Sequence, residues 1–323
     1  MLPADAAILL TLILASPLLA LLCLGSAGLR ALARRWGRLP PDQVSWMERR
    51  WVVRASAGYL AVYALCFAYG SLVEAHWVLV RPLELRVKEP VLGHARFRIV
   101  HLTDLHLEEI GRRERRMFEL VREAKPDLIL LTGDYVNARE GLQALQGVLE
   151  SLRALAPRYG IYGVEGNWDH KFPVRAAFER AGARLLSDET ESLREGAHAL
   201  RLVGHSVFPS RTLKDLLRGL DGGAYTIYLH HMPDAVDELA AREPGQRVDL
   251  FLCGHTHGGQ VRLPFWGAVL TLSKYHKKYE QGFYQVGDVS MYVNRGLGME
   301  GGAAPRVRFL APPEVAVIDL VAK

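Results

Sequence analysis

"RFRIVHLTDLH", Arg96 to His106, is an apolar strand that runs straight into an acid and an imidazole two residues apart. The same arrangement returns four more times along the chain. "DLILL" (127–131) is followed by "TGDY", and "GIYGVEG" (160–166) leads into "GNWDH". "AYTIYLHH" (224–231) leads into "HHMPD", and "VDLFLCGH" (248–255) into "GHTHGG". "ALRLVGH" (199–205) is a further strand, and between the strands lie helical patterns at "RERRMFELVREA" (113–124), "GLQALQGVLESLRAL" (141–155), "TLKDLLRGL" (212–220) and "AVDELAAR" (235–242). Strands alternating with helices predict a layered α/β core. Polar clusters that follow the strands place ligand-binding groups at the carboxyl edge of a sheet, where open α/β folds bind.

Toward the chain start the pattern changes. Ala6 to Leu29 reads "AAILLTLILASPLLALLCLGSAGL", uncharged and long enough to cross a hydrocarbon core of about 30 Å. Pro17 is compatible with such a helix. A second uncharged run, "AGYLAVYALCFAYGSLV" (57–73), predicts a second span. The expected organisation is therefore a membrane anchor over residues 1–82 and a catalytic domain over 83–323. Arg30, Arg34, Arg35, Arg38, Arg49, Arg50 and Arg54 lie between the two runs, opposed by Asp42 and Glu48. This connector belongs in the cytoplasm by the positive-inside bias, which places the following domain outside a bacterial inner or plasma membrane.

Much of the net charge of +5 is this connector, so it is no signal for nucleic acid. "GRRERR" (111–116) and "KYHKK" (274–278) are short and read as solvated faces that also suit anionic lipid head groups. The chain lacks a convincing basic, aromatic-studded groove, so a nucleic-acid partner is not expected. Of the three cysteines, Cys23 and Cys66 fall in the apolar runs, and Cys253 alone makes no intradomain disulfide.

Singly, each polar cluster is equally an ordinary strand end. Together they supply carboxylates, an amide and imidazoles at one sheet edge, a donor set for two divalent ions of the Mn, Fe or Zn kind. Asp104 and His106, Gly133 and Asp134, Gly166, Asn167 and Asp169, His231, Pro233 and Asp234, and "GHTHGGQ" (254–260) occur in one order. That order resembles the calcineurin-like metallophosphoesterases, in their bacterial membrane-associated branch. "NRGLG" (294–298) and "RFLAPPEVAVIDL" (308–320) match that branch too.

The resemblance implies a layered α/β/β/α sandwich. It implies that Asp104, His106 and His257 hold one metal, that Asn167, His231 and His255 hold the other, and that Asp134 bridges them. His230 is carried as a residue behind the ligands. Two cations sharing a carboxylate acidify water and clamp phosphoryl oxygens, so no protein nucleophile is required. No Gly-x-Ser-x-Gly elbow or Walker loop offers a rival chemistry.

Trp168 departs from the family, which usually has histidine directly after the asparagine to protonate the leaving oxygen. An indole donates a hydrogen bond but delivers no proton. Asn167, Asp169 and His170 are the catalytic candidates, with His170 the nearest replacement acid and a surface histidine the alternative. The other solution is a leaving group that needs no acid, as in a phosphoanhydride. The UDP-2,3-diacylglucosamine pyrophosphatases of this superfamily also lack that histidine.

The expected function is a membrane-anchored phosphoesterase for an amphiphilic or lipid-linked phosphate or pyrophosphate, with the bilayer as partner. "RLPFWGAVL" (262–270) reads either as a segment dipping into the interface or as a buried strand turning at Pro264. A lipid A pyrophosphatase is the rival enzyme, although its substrate lies on the cytoplasmic face. A non-catalytic metal-binding scaffold is the rival outside enzymes, and no ligand has been lost to favour it.

Overall fold

In the computed structural model, which describes residues 4–219, 223–300 and 306–323, the opening apolar run is one helix, α1 (Ala4–Arg35), that continues through Pro17. A second helix, α2 (Arg50–Leu72), begins seven residues before the expected span at 57, because helical hydrogen bonding carries on through the basic residues Arg50 and Arg54. The stretches Thr11–Arg35 and Arg50–His76 are long and apolar enough to cross a membrane. In the connector, Glu48 accepts hydrogen bonds from Arg34 Nη1 (3.1 Å), Arg30 Nε (3.3 Å) and the Ser45 backbone N–H (2.7 Å). The chain divides into two compact units, Met1–Val73 and Glu74–Lys323. The boundary expected at 82/83 falls instead inside β1 (Leu79–Val87), which is hydrogen-bonded into a sheet.

The second unit is built on two six-stranded sheets. The first contains β1, β2 (Arg96–Leu102), β3 (Leu128–Leu131), β4 (Ile161–Gly163), β5 (Arg184–Leu185) and β14 (Glu314–Ala322), in the order β1-β14-β2-β3-β4-β5. The second contains β6 (Glu189–Glu195), β7 (His198–Gly204), β8 (Tyr225–Leu229), β9 (Leu250–Cys253), β12 (Gly282–Val286) and β13 (Val289–Val293), in the order β12-β13-β9-β8-β7-β6. Strands β2 to β5 run parallel to one another, as do β7, β8, β9 and β13. A short ribbon, β10 (Arg262–Leu263) with β11 (Gly267–Ala268), stands apart from both sheets.

Alternation along the strands sorts side chains into layers. Val100, Leu102, Ile129 and Leu131 point to the outer face of the first sheet. There they pack with α3 (Arg112–Ala124), α4 (Gly141–Ala154) and α5 (Val174–Arg180) through Met117, Val148 and Phe178. Phe97, Ile99, Leu128 and Leu130 point the other way, against Leu202, Ile227 and Leu252 of the second sheet. That sheet's outer face, with Tyr228 and Phe251, is covered by α6 (Leu213–Leu216) and α7 (Val236–Ala240). The layers run helix, sheet, sheet, helix. Central strands with both faces covered read as continuous apolar runs, which is why "DLILL" and "VDLFLC" were plain as strands. The expected helix over 212–220 is shorter, and its last residue, Leu220, lies outside the described residues.

Candidate metal centre

Five loops leave the carboxyl ends of β2, β3, β4, β8 and β9, and each delivers part of the site. The loops are forced into unusual backbone shapes. Asp104, His106, Asp134, His255 and His257 have φ of 49°, 43°, 53°, 71° and 51°, in the left-handed region that residues with a Cβ avoid. Each such residue costs about 1–3 kcal/mol, a burden typical of functional sites. Buried hydrogen bonds hold the turns in place. Asp104 N–H donates to the Gly133 carbonyl (2.9 Å), and His106 N–H to the Asp134 carbonyl (3.0 Å).

The side chains converge into two groups, Asp104 with His106 and His257, and Asp134 with His231 and His255, each able to hold a metal ion. All six are buried. In the first group, His257 Nε2 lies 3.3 Å from Asp104 Oδ1 and 3.2 Å from His106 Nε2. In the second, His231 Nε2 lies 3.2 Å from both Asp134 Oδ2 and His255 Nδ1. Asp134 Oδ2 is also 3.7 Å from His106 Nε2, so one carboxylate oxygen faces both groups.

The tautomers are set from behind. His231 Nδ1–H donates to the Thr132 carbonyl (2.7 Å) and His106 Nδ1–H to Asn137 Oδ1 (2.7 Å), leaving both Nε2 lone pairs aimed inward. Burial lowers His106 to about 4 and His255 to about 3, so both are neutral at pH 7, the form that can ligate a metal. Burial opposes charge on His231 as well. The Asp134 carboxylate, helped by Asp104, outweighs it and raises His231 to about 10, a measure of how strongly this pocket attracts positive charge.

Asn167 contributes a further donor. Its Oδ1 is buried without a hydrogen-bond partner, the situation of a ligand atom aimed at a cation. The carboxylates, amide oxygen and imidazoles fit divalent Mn, Fe or Zn.

Three expectations are corrected. His170 does not reach the site, since its Nδ1 bonds the Asn167 carbonyl (2.7 Å) and its exposed ring packs edge-on against Phe208. Asp169, a catalytic candidate by sequence, is occupied by the backbone instead. Its two oxygens accept the backbone N–H groups of Asp134 (2.7 Å), Tyr135 (2.9 Å) and Gly166 (2.8 Å), which stitches the β3 and β4 loops together. His230 turns away to stack on Tyr228, with its Nδ1 accepting the Met232 N–H (3.0 Å).

Trp168 lines the site. Its backbone N–H donates to Asp134 Oδ1 (2.9 Å), its ring stands edge-on to His106 at 6.2 Å, and Lys171 Nζ sits 4.5 Å over its face. The indole lies beside the carboxylate of Glu300, whose backbone N–H is held by Gln260 Oε1 (3.1 Å). Burial and the Asp134 charge push Glu300 up. Sequence reasoning missed Glu300 and Asn137, which follow recognisable motifs by a few residues but belong to none.

Two adjacent buried clusters, with one Asp134 oxygen facing both, define a dinuclear metallohydrolase centre. The chain belongs to the calcineurin-like phosphoesterase family, whose model matches residues 97–259. It is 33% identical to the uncharacterized metallophosphoesterase YkuE of Bacillus subtilis (strain 168), over 85% of this chain and 98% of that protein. It is 30% identical to the phosphodiesterase YaeI of Escherichia coli (strain K12), over 85% of this chain and all of that protein. Identity to the UDP-2,3-diacylglucosamine pyrophosphatase LpxG of Chlamydia muridarum (strain MoPn / Nigg) is 23%, over 80% of this chain and 94% of that protein. The protein is a metal-dependent phosphoester hydrolase with a dinuclear metal site.

Proposed function

We propose that this chain is a membrane-anchored phosphoesterase whose substrate is an amphiphilic or lipid-linked phosphate or pyrophosphate. Asp104, His106 and His257 hold one cation, Asn167, His231 and His255 the other, and Asp134 joins them. The observation that carries these assignments is the position of Asp134 Oδ2, 3.7 Å from His106 Nε2 and 3.2 Å from His231 Nε2. Two bound cations would supply Lewis acidity toward phosphoryl oxygens and a lowered pKa for water. The protein keeps His106 and His255 neutral, fixes the ring orientations of His231 and His106 through Thr132 and Asn137, and walls the centre with Trp168. Tethering by the two apolar helices suits a substrate confined to the same surface.

A second reading, hydrolysis of a UDP-diacylglucosamine anhydride, draws on the 23% identity to LpxG and on the indole at 168. A phosphoanhydride leaving group is a weak base and needs no proton donor.

The test is hydrolysis by the purified full chain, loaded with Mn²⁺, of a phosphomonoester, a phosphodiester and a pyrophosphate, with metal content measured alongside. Asp134→Asn should lower turnover roughly 10³-fold or more while the thermal transition remains cooperative, because an amide cannot neutralise two cations. Full turnover in that variant, or in chelator-treated wild type, would refute the two-metal assignment.

A further inference from the structure

The β10–β11 ribbon presents its apolar residues outward. Pro264, Phe265 and Trp266 form its tip and all are exposed, Phe265 completely. Isolated exposed apolar residues are ordinary. This tip differs because its stem is firmly braced. Arg262 pairs with Ala268 and Leu263 with Gly267, Arg262 N–H donates to the Phe309 carbonyl (2.8 Å), and Glu280 accepts from Arg262 Nη2 (2.8 Å) and Ala268 N–H (3.1 Å). Two consecutive aromatics are therefore held into solvent by a rigid ribbon.

The charge around the tip is positive. Lys277 Nζ lies 4.5 Å over the Trp266 ring and donates to the Trp266 carbonyl, and Lys278 Nζ lies 5.0 Å over Tyr279. Neither lysine has an acidic partner among the described residues. The neighbouring acids are engaged elsewhere. Glu280 is taken by the stem, while Asp237 is taken by Lys274 and Tyr275. Aromatic rings flanked by lysines match the layered chemistry of an anionic bilayer surface, apolar below and phosphate above.

We propose that this ribbon docks on an anionic lipid surface, with Phe265 and Trp266 in the interfacial layer and Lys277 and Lys278 on the head-group phosphates. The ribbon is also tied to the metal loop, since Arg262 Nη1 donates to the Gly258 carbonyl (3.0 Å), next to His257. Docking would hold the metal loop close to lipid-borne phosphate. This deepens the lipid-substrate reading and rests on it.

The experiment uses the full chain in nanodiscs, with Cys23 and Cys66 changed to serine and Pro264→Cys carrying an environment-sensitive fluorophore. In discs containing phosphatidylglycerol, emission should shift to the blue and be quenched by brominated lipid. In pure phosphatidylcholine both effects should weaken, and a Glu150→Cys label on α4 should show neither. Equal access of aqueous iodide to the 264 and 150 labels in anionic discs would overturn the docking, as would a blue shift that appears only on adding an acidic protein.

Activity separates this idea from the function it rests on. Phe265→Ser with Trp266→Ser should lower hydrolysis of a bilayer-embedded phosphodiester roughly tenfold, and Lys277→Ser about fivefold, with a water-soluble diester cleaved as in wild type. Equal rates on the embedded substrate would overturn the docking. Loss of all wild-type hydrolysis would count against the phosphoesterase reading while leaving the fluorophore result to decide the docking.

Discussion

At position 168 one side chain bears on which leaving groups the proposed site would favour. The indole stands edge-on to His106 and beside Glu300, at the position where the resembled family usually has histidine. His170, the sequence's substitute, faces Phe208 and the Asn167 carbonyl. His170→Ala should therefore change kcat less than twofold on alkyl and aryl phosphodiesters alike. A large selective loss on the alkyl substrate would return His170 to the reaction. Without a strong acid at 168, wild-type rates should fall steeply as the leaving group becomes more basic, by about 10² to 10⁴ across an aryl-to-alkyl series. Trp168→His should flatten that slope. Because Asp169 spends both oxygens on backbone N–H groups, the carboxylate left to steady a new imidazole is Glu300. The double variant Trp168→His with Glu300→Gln should lose the gain. A wild type that cleaves alkyl and aryl esters equally well would leave Trp168 as a packing or stacking residue.

The loops after β2, β3, β4 and β9 pack so closely that their glycines are spatial requirements. A Cβ on Gly166 would lie 2.1 Å from Asp134 Oδ1, and one on Gly254 would lie 2.2 Å from Asp104 Oδ2. Gly166→Ala should push the Asp134 carboxylate off position, lowering bound metal below two per chain and stability by about 1–3 kcal/mol. Metal analysis and a denaturant melt check this, and full occupancy in the variant would contradict it. Among elements, what the sequence made legible was set by burial. The strands ending in ligands are buried on both faces and read as apolar runs. β6, with alternating exposed residues in "ETESLRE", and β1, an edge strand that tolerates Pro82, gave no such signal. β14 is apolar but gains its place only by long-range pairing between β1 and β2, which no local pattern encodes. The candidate ligands were legible through ordered motifs. The groups that aim them were not, because Asn137 meets His106 across 31 residues and Glu300 meets Trp168 from a different loop.

The whole molecule couples a two-metal hydrolase unit to two apolar helices, and in the proposed membrane-anchored arrangement the side on which the unit works decides which substrates it meets. The argument rests on the connector between α1 and α2. Glu48 pairs with Arg30 and Arg34, but orientation follows the count of lysine and arginine near the span ends, and acids matter little. Arg35, Arg38, Arg49, Arg50 and Arg54 remain alongside, and Trp36, Trp46 and Trp51 are exposed in the same region, as interfacial aromatics are. The connector should thus lie in the cytoplasm and the hydrolase unit outside it. Because β14 runs to Ala322 and Lys323 N–H still bonds the Val87 carbonyl, a reporter must follow Lys323 through a flexible linker to spare the sheet. An alkaline phosphatase fusion there should be active and a green fluorescent protein fusion dark. Replacing Arg35, Arg38, Arg49 and Arg50 with glutamine should weaken that bias and restore fluorescence in part of the population. The reverse result in the unaltered chain would place the metal centre in the cytoplasm. It would then favour the UDP-diacylglucosamine reading, since that anhydride is presented on the cytoplasmic face.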